Sequence, residues 1–216
     1  MTSSERHLDA ASREELWSAW SHGIGFLLAA SALPVLILHV DRANGSAILG
    51  AAIFGGSMLL TLGASTIYHA SVQPRRRRRW RIVDHASIYV LIAGSYTPLC
   101  LTSLRGPWGW GLLIAIWTMA IVGVLLKLRF TGRFERLSTA MYLVMGWLCL
   151  IAAVPMTRLL AGSTLLALLA GGLAFTAGVG FYLRDHRRGF HLVWHCFVLA
   201  GCAGLYAAMF FELGST

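Results

Sequence analysis

Charge is scarce in this sequence, and acidic charge most of all. Only 12% of the 216 residues are charged, and only nine are Asp or Glu. An ordinary soluble domain is about 25% charged. A chain this poor in charge cannot cover a water-facing surface of its own, which excludes a soluble globular domain and a disordered chain. Cysteine is scarce too. Cys100, Cys149, Cys196 and Cys202 all lie in apolar stretches without CxxC spacing, so a secreted disulfide scaffold is excluded and they read as packing residues. No carboxylate is expected at the middle of a span, which argues against a proton relay or an ion-coupled transporter. No repeat and no soluble domain stand out. The first 16 residues are polar and of mixed charge, so no cleavable signal is expected.

What remains is apolar: 57% of the chain is hydrophobic. A membrane-spanning helix needs about 20 apolar residues, and the breaks between runs divide the chain. Between Trp17 and His69 the only formal charges are Asp41 and Arg42, beside the turn pair Asn44-Gly45, so two helices are expected near 17–39 and 46–69. Gln73-Pro74 and five arginines precede a third, 82–104. Leu104-Arg105-Gly106-Pro107 forms a turn before a fourth, 108–126, and a polar loop from Lys127 to Arg136 follows. Residues 138–183 would make one helix about 70 Å long at ~1.5 Å per residue, so they are expected to form a hairpin, 138–156 and 160–183, turning at Pro155 to Arg158. A last helix is expected over 190–211. The expected class is thus an all-α integral membrane protein. Its single seven-helix domain would cover 17–211, between a cytoplasmic tail (1–16) and a C-terminal tail (212–216). Gly172, Thr176 and Gly180 form a small-residue ridge suited to close helix packing.

The formal net charge of +9 sets the orientation. With seven spans, fifteen of the eighteen Lys and Arg residues fall on the side of the N-terminus. Positive loops stay cytoplasmic, so the N-terminus is expected inside and the C-terminus outside. The run Arg75 to Arg79 reads as a topology anchor, and no nucleic-acid partner is expected, because no aromatic platform or binding fold accompanies it.

Ionisable groups inside or bordering a span are costly and tend to mark function. Ser65 and His69 share a face at the inner end of the second helix. Asp84 opens the third, and His191 and His195, at i and i+4, open the seventh. His22 opens the first. All are expected in one layer near the cytoplasmic face. Two histidines at i, i+4 can bind one metal ion, and His69 would complete a three-histidine set, the ligand pattern of a catalytic zinc. Asp84 could act as base or orient a ligand, and Ser65 could donate a hydrogen bond. His85 points about 100° away from Asp84 on a helix and reads as a packing residue. His22 reads equally as an outer partner of the site or an interfacial residue. His7, His39 and His186 fall in tails or loops.

Several segments resemble the haemolysin III family. They are Ser21-His22-Gly23-Ile24-Gly25, Ser65-Thr66-Ile67-Tyr68-His69, Asp84-His85-Ala86-Ser87-Ile88-Tyr89, Ala93-Gly94-Ser95-Tyr96-Thr97-Pro98 and His191-Leu192-Val193-Trp194-His195. The likeness runs in order over about residues 14–211. This family is the bacterial branch of the progestin and adipoQ receptor group, which includes the adiponectin receptors. The resemblance implies seven helices around a buried zinc held by His69, His191 and His195, with a water linking it to Asp84. It also implies hydrolysis of a lipid amide or ester, ceramidase-like, in membrane lipid homeostasis, with membrane lipids as substrate and the bacterial inner membrane as location. A non-enzymatic sensor with structural zinc and a cytolytic role are the alternatives. Ser18 departs from the family pattern, where Asn is frequent, and Leu205 stands where many bacterial relatives have histidine.

Overall fold

The computed structural model describes residues 3–214, with side chains from residue 13 onward. Among the described residues the chain is all-helical: α1 Ser3–His39, α2 Gly45–Ala70, α3 Pro74–Leu101, α4 Pro107–Phe130, α5 Glu135–Gly146, a 3-10 segment Leu148–Ala152, α6 Ala153–Leu159, α7 Gly162–Tyr182 and α8 Phe190–Leu213. Among the described residues, six stretches are long and apolar enough to cross a membrane: 13–39, 45–70, 107–130, 135–159, 162–182 and 190–213. Their outward faces carry Leu27, Leu38, Ile114, Leu125, Ile151 and Leu166, each more than half exposed. A surface of that kind suits lipid and not water. The protein is a multi-pass membrane protein.

The remaining long helix, α3, is different. It carries Asp84, His85, Ser87, Ser95 and Thr97 and begins with the arginine run. It packs against α2, α4, α5 and α8, inside the bundle. Thr97 accepts from Trp117 Nε1 (3.1 Å), and Ser87 Oγ donates to the Asp84 carbonyl (2.7 Å).

Local chemistry explains the boundaries. Asn44 caps α2 by accepting from Ala47 N–H, and Pro74 and Pro107 occupy first-turn positions where no N–H is needed. Several expectations change. Helix α1 begins at Ser3 and not at residue 17, so most of the expected N-terminal tail is helical. Helix α3 begins at Pro74 and not at residue 82, so the arginines open the helix. Helix α4 continues to Phe130, so Lys127 lies in its last turn and not in a loop; its ammonium is buried and donates to Glu135 (2.7 Å). The turn expected at Pro155 to Arg158 lies at Leu160-Ala161 instead. Pro155 is the third residue of α6, where its missing N–H breaks no hydrogen bond. Of the expected tails, residues 1–2 and 215–216 lie outside the described residues, while Glu212 and Leu213 continue α8. The buried Glu212 carboxylate accepts from Ser103 Oγ (2.6 Å) and Thr164 Oγ1 (2.8 Å), joining the far ends of α3, α7 and α8.

The break between α5 and α6 has an identifiable cause. Tyr96 of α3 inserts its hydroxyl there, donating to the carbonyls of Met145 (2.8 Å) and Gly146 (3.0 Å) and accepting from Cys149 N–H (3.0 Å). A side chain inserted into the helical ladder is a recognised cause of a kink. Tyr96→Phe is expected to lower stability by about 1–3 kcal/mol, the cost of leaving such groups unpaired. An SDS-unfolding titration of the purified protein reads this. An unchanged midpoint would mean that the hydroxyl does not hold the break.

Helices α7 and α8 approach most closely at glycines. A Cβ on Gly204 would lie 2.8 Å from Gly171 Cα, and one on Gly171 would lie 3.1 Å from the Gly201 carbonyl. The Gly172–Thr176 ridge turns elsewhere: it faces Trp147, whose indole N–H donates to Thr176 (3.0 Å).

Candidate metal centre

His69 sits in the last turn of α2, and His191 and His195 occupy the first two turns of α8. Contacts of α1 with both α2 and α8 complete this end of the bundle. The three rings form a nearly equilateral triangle, with centroid separations of 5.0 Å (His69–His191), 4.8 Å (His69–His195) and 4.9 Å (His191–His195). One nitrogen from each ring lies within 4.8 Å of the others. His69 Nε2 and His191 Nε2 are 3.3 Å apart. Zn–N bonds of about 2.0–2.1 Å in a tetrahedron set ligand nitrogens about 3.3 Å apart. One edge of the triangle therefore already has the spacing of a zinc site, and the other two need only a modest contraction.

The outer nitrogens fit the same reading. His69 Nδ1 is 2.7 Å from Glu15 Oε2, and a carboxylate can only accept. His195 Nδ1 is 3.2 Å from the Ser18 carbonyl and 3.1 Å from Ser21 Oγ, whose own proton goes to that carbonyl. His191 Nδ1 lies 4.0 Å from Asp185 Oδ2. In His69 and His195 the Nδ1 proton is thus taken up outside the triangle, which leaves Nε2 as the lone-pair nitrogen of each ring. Metal-ligating histidines characteristically show this arrangement. Three neutral imidazoles suit zinc better than oxygen-seeking cations, so the residues present fit the ion that the three-histidine pattern implies.

Asp84, on α3, is half-buried; Ser65, one turn before His69, is fully buried and faces the Asp84 carboxylate, and His69 is close enough to act on the charge of that carboxylate. His22 is buried and stacks on His195 at 3.7 Å, nearly parallel, so it belongs to this cluster. Neither of its ring nitrogens has a hydrogen-bond partner among the described residues. His85 turns away toward α4 and α5, where Glu135 Oε1 lies 3.8 Å from its Nδ1. His39, expected in a loop, ends α1 and stacks on Phe210 at 3.9 Å. His186 is exposed, and the side chain of His7 lies outside the described ones.

The sequence pattern does not by itself single out the carboxylates of α1. Glu15 reaches His69, and Glu14 accepts from Gly189 N–H (2.9 Å) at the start of α8. The signal that reveals them is periodicity: continued upstream as a helix, α1 places residues 15, 18 and 22 on one face. The Ser18 departure leaves the site intact, because the group that meets His195 is the main-chain carbonyl.

An apolar cavity of about 280 Å³ lies between α3, α5, α7 and α8, lined by Leu91, Tyr96, Trp147, Leu168, Phe175 and Trp194 among others. It also touches Ile88, one turn beyond Asp84, and Trp194, the neighbour of His195.

A membrane bundle with a largely buried histidine triangle is the class that fold and site define. A family profile described as haemolysin-III related matches residues 11–206. Hemolysin-3 of Bacillus cereus is 41% identical over 200 residues, 92% of this chain and 91% of its own length. The Hemolysin-3 homolog of Bacillus subtilis (strain 168) is 42% identical over 201 residues, 92% and 94% of the two chains. The human monocyte to macrophage differentiation factor is 28% identical over 163 residues, 73% and 67%. No solved structure matches. This chain belongs to the haemolysin III-related family, as a multi-pass protein of the bacterial inner membrane.

Proposed function

We propose that this protein is a zinc-dependent hydrolase of a lipid amide or ester acting in membrane lipid homeostasis, with α3 as a seventh span and the N-terminus in the cytoplasm. The histidine triangle carries the reading: three imidazole nitrogens lie within 4.8 Å of one another, beside a carboxylate and a serine. His69, His191 and His195 would hold the zinc, which supplies Lewis acidity for activating water near neutral pH and polarising an acyl carbonyl. Asp84 takes the proton of the attacking water and returns it to the departing amine or alkoxide. Ser65 holds the Asp84 carboxylate in place and can donate to a substrate oxygen. The apolar cavity beside Ile88 and Trp194 suits an acyl chain, with membrane lipids as the source.

The seventh span rests on the length of α3, 28 residues, and on its packing among the other helices. Inside orientation of the N-terminus rests on the basic residues that cluster at the histidine end, Arg75 to Arg79 in the first turns of α3 and Arg184, Arg187 and Arg188 before α8. Incubating the purified protein with a panel of N-acyl and O-acyl lipids tests the activity. Release of free fatty acid from at least one substrate, lost on chelation and restored by zinc, is the expected result. A panel without zinc-dependent release would contradict it. The printed name of the two Bacillus relatives raises a cytolytic role as the second reading. Dye release from liposomes by the purified protein alone would favour that reading over hydrolysis.

A further inference from the structure

Among the five consecutive arginines, Arg77 alone is half-buried; Arg75, Arg76, Arg78 and Arg79 are exposed. Arg77 lies on the helical face of α3 that continues through Arg81 to Asp84. Its guanidinium donates to Glu15 Oε1 and lies 4.8 Å over the ring of Tyr68, the neighbour of His69. The other Glu15 oxygen, Oε2, meets His69 Nδ1 at 2.7 Å. One carboxylate thus ties α1 to the end of α2 and the start of α3 at the edge of the histidine triangle.

We infer that Glu15, aimed by Arg77, is a positioning residue of the metal centre: it accepts the Nδ1 proton of His69 and so directs the Nε2 lone pair toward His191 and His195. The physical basis is the tautomer. An imidazole without an acceptor at Nδ1 divides its proton between both nitrogens. The part of the population protonated at Nε2 presents N–H where a cation must bind. A carboxylate at Nδ1 removes that fraction and makes Nε2 more basic. Glu14 works on the opposite strut: its bond to Gly189 N–H fixes the residue, in a left-handed conformation (φ 79°), from which α8 departs with His191 and His195.

The inference rests on the zinc reading above, and zinc affinity tests both separately. Full-length protein in detergent is stripped with chelator and titrated with zinc against a fluorescent zinc chelator. Glu15→Ala is expected to weaken zinc about 10–100-fold, the usual effect of removing an outer partner. Glu15→Gln keeps an oxygen for Nδ1–H and is expected to recover most of that loss. Thermal melts separate positioning from bulk stability. In Glu15→Ala the zinc-induced rise should shrink, whatever the lost ion pair costs the metal-free midpoint. Wild-type zinc affinity in Glu15→Ala overturns the inference and leaves the zinc reading intact. So does a lower metal-free midpoint with an unchanged zinc-induced rise, or equal weakening in both variants. A wild type that binds no zinc overturns both.

Discussion

Asp84→Asn is expected to retain the metal and lose turnover. Asparagine preserves the shape of the side chain and can still meet Ser65, but it cannot take a proton. Asp84 stands outside the triangle of His69, His191 and His195, whose nitrogens make up the candidate ligand set. The loss of a positioned general base typically costs about 10²–10⁴-fold in rate. Fatty-acid release and zinc content measured on the same preparation read the two quantities together. Normal turnover in Asp84→Asn would remove Asp84 from the mechanism. Loss of zinc would instead make Asp84 a direct fourth ligand. A closed four-coordinate site of that kind is structural, which would favour a sensor over a hydrolase.

His195→Ala is expected to lose the metal outright. His195 is the most deeply held of the three, 2% exposed, with Nδ1 on the Ser18 carbonyl and its ring against His22. Removing it leaves two ligands where a catalytic zinc needs three. Affinity should fall by more than the ~100-fold that marks the upper effect of an outer partner. His186→Ala is the matched control, because His186 is exposed in the loop before α8. Equal zinc content in the two variants would show that the triangle is not where zinc binds.

Much of this is legible in the sequence, for reasons that can be stated. A chain 12% charged and 57% hydrophobic has one solvent that suits its surface. Ser65, His69, Asp84, His191 and His195 stand out because ionisable groups in apolar runs are rare. Their placement at one end follows from helices that alternate in direction. Helix ends are less legible. Lys127 looks like a loop residue because the sequence does not display its ion-pair partner, Glu135, eight positions on. The α5–α6 break is invisible locally, since its cause is Tyr96, about fifty residues upstream. Glu14 and Glu15 look like tail residues because they precede the first apolar run; their roles depend on His69 and Gly189, which are distant in sequence.

The most direct measurement is metal analysis of the detergent-purified wild type beside His191→Ala and His195→Ala, by mass spectrometry with plasma ionisation. The expected result is zinc in about equimolar amount with the wild-type chain and none above background in either variant. A wild type free of metal, or variants as rich in zinc as the wild type, would contradict the account.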